Sequence, residues 1–289
     1  MKISLQLQEK KLIILQGYMR KYSIMILFLA GFSALFLPAQ AQTSTWHMIE
    51  GGRIRFAFAP STNNDKNKLI YGVMELELKP GWKTYWSNPG NSGMPPAITL
   101  DQPAKTDILF PAPQLLEDGK DWAFGYKEHV LLPFSITALH PESSPQISGS
   151  VLIGICNVLC IPETIPFQFT TDETPDLLTR GRIRAALSAL PKPAHDKFRI
   201  VELTGDNEKL RVLLRHPESA IAPRLFMDGH DMQLGIADVK YHKPSQTLYT
   251  VPGVSGKISA GQPISYTAVL DGEAISGKMI IEQRKTRPD

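Results

Sequence analysis

Reactive residues are scarce in this sequence. Its 289 residues include only two cysteines, and its seven histidines are scattered along the chain. Neither a G-x-S-x-G nucleophile elbow nor an H-E-x-x-H zinc motif occurs in it. These absences argue against a hydrolase of either kind, and they leave the cysteine pair as the one reactive feature.

An excess of charge of one sign is also lacking once the first 41 residues are set aside. That segment holds five basic residues and one acidic residue, so 26 of the 31 basic and 27 of the 28 acidic residues remain. Binding to nucleic acid needs a clustered excess of Lys and Arg. We therefore expect no nucleic-acid partner.

The sequence has a single long apolar run, near its N-terminus. The basic pair Arg20-Lys21 precedes the apolar stretch 22–37, and Ala39-Gln40-Ala41 forms a small-x-small cleavage site. The run is shorter than the roughly 18 apolar residues that a membrane span needs, which favours a signal peptide over a membrane anchor. We expect residues 1–41 to be a signal peptide, with translation starting at Met19 and the mature chain exported to the periplasm.

The remaining sequence is typical of short strands separated by turns. The segment 53–58 alternates polar and apolar residues with the period of a half-buried strand. Similar or β-branched runs predict further strands at 74–79, 130–136, 151–155, 165–169, 198–203, 210–214, 248–251, 264–270 and 278–282. Asp271-Gly272 predicts a tight hairpin turn. The spacing of strands and turns predicts an all-β protein built from sandwiches rather than a parallel α/β sheet.

One segment has helical periodicity instead. Thr174 suits the N-cap and Pro175 the first helical position, which predicts a helix over 175–190. The expected organisation is thus a sandwich that carries the cysteines, a helical linker and a second, smaller β domain with a structural or partner-facing role. Their predicted ranges are 42–172, 173–195 and 196–289.

Cys156 and Cys160 lie in a strand-rich context with three residues between them. In a straight strand, residues four positions apart stand about 13 Å from each other. A disulfide requires Cα atoms within about 7 Å. If the two cysteines are bonded, the chain must turn back between them, and a hairpin tip or bulge at Asn157-Val158-Leu159 would achieve this.

Spacing alone leaves the role of the pair open. A structural disulfide is the usual interpretation in an exported protein, but a loop this short contributes only about 2 kcal/mol in the loop-entropy model. A redox-active disulfide is the second interpretation, because exposed disulfides tend to be exchangeable. A metal site is the third. Two thiolates are too few for structural zinc, and copper held with Met94 or His129 has no further support in the sequence.

The order of several short motifs resembles a known family. The segment from Gly81 to Pro166 is similar to the N-terminal periplasmic domain of the DsbD thiol:disulfide interchange family, including its ScsB-like relatives. The matching pieces are Gly81-Trp82-Lys83-Thr84-Tyr85-Trp86-Ser87-Asn88-Pro89-Gly90, Ser92-Gly93-Met94-Pro95-Pro96, Phe110-Pro111-Ala112-Pro113, Phe124-Gly125-Tyr126-Lys127-Glu128, Leu131-Leu132-Pro133 and Cys156 to Glu163.

The resemblance implies an immunoglobulin-like β-sandwich that carries one reversible disulfide and needs no cofactor or metal. It implies that Cys160 is the sulfur attacked by an incoming thiolate and that Cys156 is the resolving partner. A mobile aromatic cap shields the pair in the family, and Trp122 or Phe124 falls in the corresponding segment. Tyr85 and Trp86 are expected near the pair, as part of the docking surface or of the core.

The implied activity is that of a thiol:disulfide oxidoreductase. Its partners would be a thioredoxin-like donor domain or membrane-embedded thiol reductase, and oxidised periplasmic client proteins. The full-length relatives carry many membrane helices and a thioredoxin-like domain with C-x2-C, and neither pattern occurs in these 289 residues. We therefore expect a separate electron donor. The alternative is a non-catalytic periplasmic chaperone or assembly module with a structural disulfide.

Overall fold

The structure is a computed structural model that describes residues 43–60, 69–91, 93–138, 146–171 and 174–283. The predicted signal peptide, residues 1–41, lies outside these ranges and stays a prediction. Within them, no helix combines the length and the apolar character that a membrane crossing requires.

Residues 43–171 form two antiparallel sheets. Their strands are β1 His47–Ile49, β2 Gly52–Pro60, β3 Leu69–Leu78, β4 Lys83–Tyr85, β5 Ala97–Leu100, β6 Ala104–Ile108, β7 Gln114–Asp118, β8 Asp121–Lys127, β9 His129–Ala138, β10 Gln146–Cys156 and β11 Cys160–Thr170. One sheet has the order β1-β2-β3-β9-β6. The other has the order β11-β10-β4-β8-β7, with β5 also paired to β10.

Aromatic side chains from both sheets fill the space between them. Phe56 and Phe58 alternate along β2 with residues that face outward, as the period of two requires. The ring of Phe58 stacks on that of Phe169 in β11, with centroids 3.8 Å apart, and lies 5.5 Å from Phe167. The two sheets therefore share one core, which is the sandwich predicted for this part of the chain.

The C-terminal part forms two further sheets. Its strands are β12 Lys192–Pro193, β13 Arg199–Gly205, β14 Lys209–Arg215, β15 Arg224–Asp228, β16 Gln233–Leu234, β17 Asp238–Lys243, β18 Gln246–Ser255, β19 Pro263–Leu270, β20 Glu273–Ile280 and β21 Glu282–Gln283. The sheet orders are β12-β20-β19-β15 and β16-β18-β14-β13-β21, with β17 paired to β18. Asp271 and Gly272, both with positive φ, close the β19–β20 hairpin as predicted. The all-β, immunoglobulin-like fold class is confirmed.

The helix predicted over 175–190 is present as α1, Leu177–Ser188. Its N-cap is Asp176, whose carboxylate accepts the Thr179 N–H at 2.6 Å, so the prediction that Thr174 caps the helix is wrong. An Asp side chain at the position before the first helical residue satisfies an N–H that the helix leaves unpaired. The helix packs its buried Ile183 and Ala186 onto the first sandwich.

A buried carboxylate fixes α1 to the sheet beneath it. Glu75 on β3 is 2.9 Å from Arg182 of the helix and 2.7 Å from Arg55 on β2, and its other oxygen is 3.2 Å from His129. Burial alone would raise the pKa of Glu75. The hydrogen bonds from Arg55 and His129, with the charges of Arg55 and Arg182, outweigh that effect and hold the pKa below its ordinary value.

Glu75→Gln is expected to lower the free energy of unfolding by about 2 kcal/mol at neutral pH, because it removes a carboxylate from partly buried cations. The native pKa of Glu75 is depressed, so its contribution is present above the ordinary value and is lost as the pH falls below about 4.5. The stability difference between wild type and variant, measured by urea unfolding, should therefore shrink in acid.

Glu77→Gln on the same strand provides the matched control. The Arg53–Glu77 pair is far more exposed, with side-chain exposures of 43% and 39%. Its loss should cost at most about 1 kcal/mol. Equal losses for the two variants would contradict the anchoring role of Glu75.

Candidate functional site

The two cysteines face each other at the closed end of the β10–β11 hairpin. The strand register pairs Cys156 with Cys160, their Cα atoms are 4.1 Å apart, and the sulfurs are bonded. The N–H of Asn157 donates to the carbonyl of Leu159 at 3.2 Å and closes the turn. The predicted hairpin tip at 157–159 is therefore confirmed.

Along β11, residues alternate between those whose backbone N–H and C=O groups face β10 and those whose backbone groups face outward. The hydroxyl of Thr84 on β4 donates to the carbonyl of Gly154 at 2.9 Å, so the polar backbone groups of Gly154 point toward β4. Its partner Pro162 therefore belongs to a pair that exchanges no backbone hydrogen bonds with β10, so the N–H that proline lacks breaks none of them. Pro166, an even number of residues further along β11, lies in a pair of the same kind. Both prolines therefore lie where their backbone faces away from β10.

The two sulfurs have different access to solvent. Cys156 is 1% exposed and packs in a small cluster with Tyr85, Leu116 and Ala123. Cys160, at the start of β11, is exposed. The bond thus joins a buried cysteine to an exposed one.

The hydroxyl of Tyr85 lies against both sulfurs. Its oxygen is 2.6 Å from Sγ of Cys156 and 3.2 Å from Sγ of Cys160. Since bonded sulfurs carry no hydrogen, the tyrosine is the donor. Burial raises the pKa of Tyr85 to about 12, so the hydroxyl keeps its proton at neutral pH. Gly93 and Gly154 leave room for the ring, because a Cβ at Gly93 would approach it to 2.3 Å.

A basic residue on the neighbouring strand pairs with the buried cysteine. The register places Lys83 of β4 directly opposite Cys156, and Lys127 of β8 opposite Lys83. Glu163, the charged residue nearest to the pair in the sequence, stands opposite Ile153 in the register. Lys83 could not be identified from local spacing, because β4 and β10 are neighbours in the sheet but far apart in the sequence. A cation near a thiol favours its thiolate form.

The other aromatic residues predicted for the site form a cluster on the opposite face of this sheet from Tyr85. Trp86 and Phe124 are buried, with ring centroids 6.2 Å apart, and the half-buried Trp122 lies 5.0 Å from Phe124. Phe226 of the second β domain completes the cluster at 5.3 Å from Phe124 and 6.2 Å from Trp86. Of the four predicted aromatics, the structure brings Tyr85 onto the sulfurs and places the other three in this cluster.

The segment that follows Tyr85 is held by the second domain. The amide of the buried Asn88 donates to the carbonyls of Met227 and Leu234, each at 2.8 Å. Its oxygen accepts the N–H of Gly90 at 3.3 Å, and the amide of Gln233 donates to the carbonyl of Gly90. The second β domain was predicted to be structural or partner-facing, and these contacts give it a structural part beside the site.

No metal-binding arrangement accompanies the pair in the described ranges. They contain no group of three or more His, Cys, Asp or Glu side chains placed to hold an ion. His129, considered above with Met94 as a copper ligand, hydrogen-bonds to Glu75 instead.

Comparison with known proteins agrees with the resemblance seen in the sequence. Residues 53–172 match the family model described as "Thiol:disulfide interchange protein DsbD, N-terminal", so the predicted resemblance is confirmed for this segment. Curated protein sequences give no match. Among solved structures, the N-terminal periplasmic domain of ScsB from Proteus mirabilis matches with a TM-score of 0.73 and 20% identity, over 85% of this chain and 100% of that one. At 20% identity, this match shows that the two folds are similar and no more than that.

Proposed function

Because residues 53–172 match the N-terminal segment of a thiol:disulfide interchange family, we propose that this protein relays electrons through Cys156 and Cys160 in the periplasm. The donor is a thioredoxin-like domain or a membrane-embedded thiol reductase, and the acceptors are oxidised periplasmic proteins. The chain acts as a protein-disulfide reductase that uses no cofactor.

The unequal exposure of the two sulfurs supports this proposal best. An attacking thiolate must approach one sulfur of a disulfide and displace the other. Cys160 is exposed, whereas Cys156 is buried behind Tyr85. Attack is therefore directed to Cys160, and Cys156 is the leaving group, as the resemblance implies.

In the first step the donor thiolate bonds to Sγ of Cys160, and the Cys156–Cys160 bond breaks. The bonding electron pair passes to Cys156 as a thiolate. The Tyr85 hydroxyl, 2.6 Å from that sulfur, donates a hydrogen bond to it, which stabilises the thiolate and makes Cys156 a better leaving group. Lys83 stands opposite Cys156 in the strand register, so its side chain is on the same face of the sheet as the thiolate.

In the second step another thiol of the donor attacks the donor sulfur of the mixed disulfide. Cys160 then leaves as a thiolate and takes a proton from water, as Cys156 does. The donor has lost two electrons and holds a disulfide, and the pair has become a dithiol. A client disulfide is reduced by the reverse sequence, in which Cys160 attacks and Cys156 resolves.

Thiol trapping tests this function against the alternative of an inert disulfide. The oxidised mature protein is mixed under native conditions with reduced thioredoxin, quenched with acid and alkylated. We expect two alkylated cysteines per molecule within minutes, and no alkylation without thioredoxin. A disulfide that stays intact until the protein is unfolded would overturn the relay and favour the chaperone or assembly module.

A further inference from the structure

The hairpin tip between the cysteines exposes two large apolar side chains. Val158 is 91% exposed and Leu159 is 76% exposed. Turns favour Gly, Asn, Asp, Pro and Ser, for reasons of backbone geometry and local hydrogen bonding. Neither Val nor Leu serves the turn in this way, and at these exposures neither contributes to the core. Their presence at the tip calls for another explanation.

The tip is held in place, so the two side chains are presented in a fixed arrangement. The Asn157 N–H bonds to the Leu159 carbonyl, and the Asn157 side chain lies close to the position where Gly81 would carry a Cβ, 3.5 Å away. The disulfide closes the base of the same turn. A surface fixed in this way loses little conformational freedom when another protein covers it.

The hairpin tip lies next to the cysteine that is attacked. Leu159 directly precedes Cys160, and the far side of the bond is closed because Cys156 and Tyr85 are buried. A protein thiolate that reaches Cys160 must come from the exposed side. The surface around that thiolate then lies over Val158 and Leu159.

We propose that Val158 and Leu159 form an apolar docking surface for the electron donor, a thioredoxin-like domain with apolar residues around its nucleophilic cysteine. The inference rests on the proposed function and specifies its partner. We assign this surface to the donor and not to the client, because the donor reacts with the protein while Cys156 and Cys160 are joined in a disulfide, whereas the client reacts with the dithiol. In the bonded form the closed disulfide holds the tip in the arrangement described.

The test compares a protein donor with a small one. In V158T/L159N both side chains become polar at nearly constant size, so the exposed turn keeps its shape. Reduction by thioredoxin should become about tenfold slower or more, which corresponds to the loss of one well-buried apolar contact. Reduction by dithiothreitol, which is too small to cover the tip, should stay within about twofold of wild type.

The double variant L177N/L178N is the matched control. Leu177 and Leu178 are 80% and 78% exposed, but they begin α1, which packs on the other sheet of the sandwich. This variant should react with thioredoxin like wild type. Unchanged reduction of V158T/L159N by thioredoxin, or equal slowing with both reductants, overturns the docking surface alone. A wild-type protein that thioredoxin cannot reduce overturns the proposed function as well.

Discussion

Cys156→Ala is expected to react rapidly with dithiobis(nitrobenzoate) through Cys160, and Cys160→Ala to react about 100-fold more slowly through Cys156. The thiol of Cys160 lies on the exposed side of the hairpin, whereas Cys156 is 1% exposed. A buried thiol reacts only after local opening, and an opening free energy of about 3 kcal/mol slows the reaction by this factor. The released nitrothiobenzoate gives the rate by its absorbance.

The adducts provide a second measurement. Cys156→Ala should keep its mixed disulfide at Cys160, because the thiol that would resolve it has been removed, whereas the dithiol wild type should release the reagent and re-form its own disulfide. Mass spectrometry distinguishes the two outcomes. Reaction in denaturant serves as the control, since both variants should then react at similar rates. Faster native reaction at Cys156 would reverse the assigned roles.

Asn88→Ala is expected to lower the free energy of unfolding by about 3 kcal/mol. The substitution leaves the buried carbonyls of Met227 and Leu234 without the donors that satisfy them, and it removes the acceptor of the Gly90 N–H. Each buried polar group left without a partner costs about 1–3 kcal/mol. Urea unfolding followed by tryptophan fluorescence measures the loss, and Trp86, close to the interface, reports on it.

Asn91→Ala is the control for this substitution. Asn91 lies in the same loop and its side chain also accepts a backbone hydrogen bond, from Trp122 at 2.9 Å, but at an exposed position. Its loss should cost less than about 1 kcal/mol, because water replaces the lost partner. Similar losses for Asn88→Ala and Asn91→Ala would show that the bonds between the domains contribute little.

The sequence was most informative where its signals are local. Alternation along β2 and the turn residues Asp271-Gly272 depend on nearest neighbours, and both predictions are confirmed. The hairpin tip at 157–159 followed from simple geometry, since cysteines this close in a strand context can bond only if the chain reverses. The predicted N-cap of α1 was wrong because Thr174 and Asp176 are both good capping residues. Which of them caps the helix depends on where the backbone becomes helical.

Features that depend on contacts between distant segments could not be predicted. Lys83 lies opposite Cys156 only because β4 pairs with β10, and no local pattern records that register. Phe226 reaches Trp86 and Phe124 from the second domain. The resemblance placed Tyr85 near the pair, but only the packing of its ring beside Gly93 brings the hydroxyl onto both sulfurs.

The prolines of β11 have a consequence for the behaviour of the protein at high protein concentration. Within the described residues β11 is the last strand of its sheet, and such a rim ordinarily offers a template on which foreign strands can assemble. In the middle of β11, every second residue whose backbone faces outward is a proline, Pro162 or Pro166, and so has no N–H to donate. A growing intermolecular ladder would therefore be interrupted at each proline. The hairpin can therefore present its tip to other polypeptides, as the proposed exchange requires, while resisting aggregation along its length.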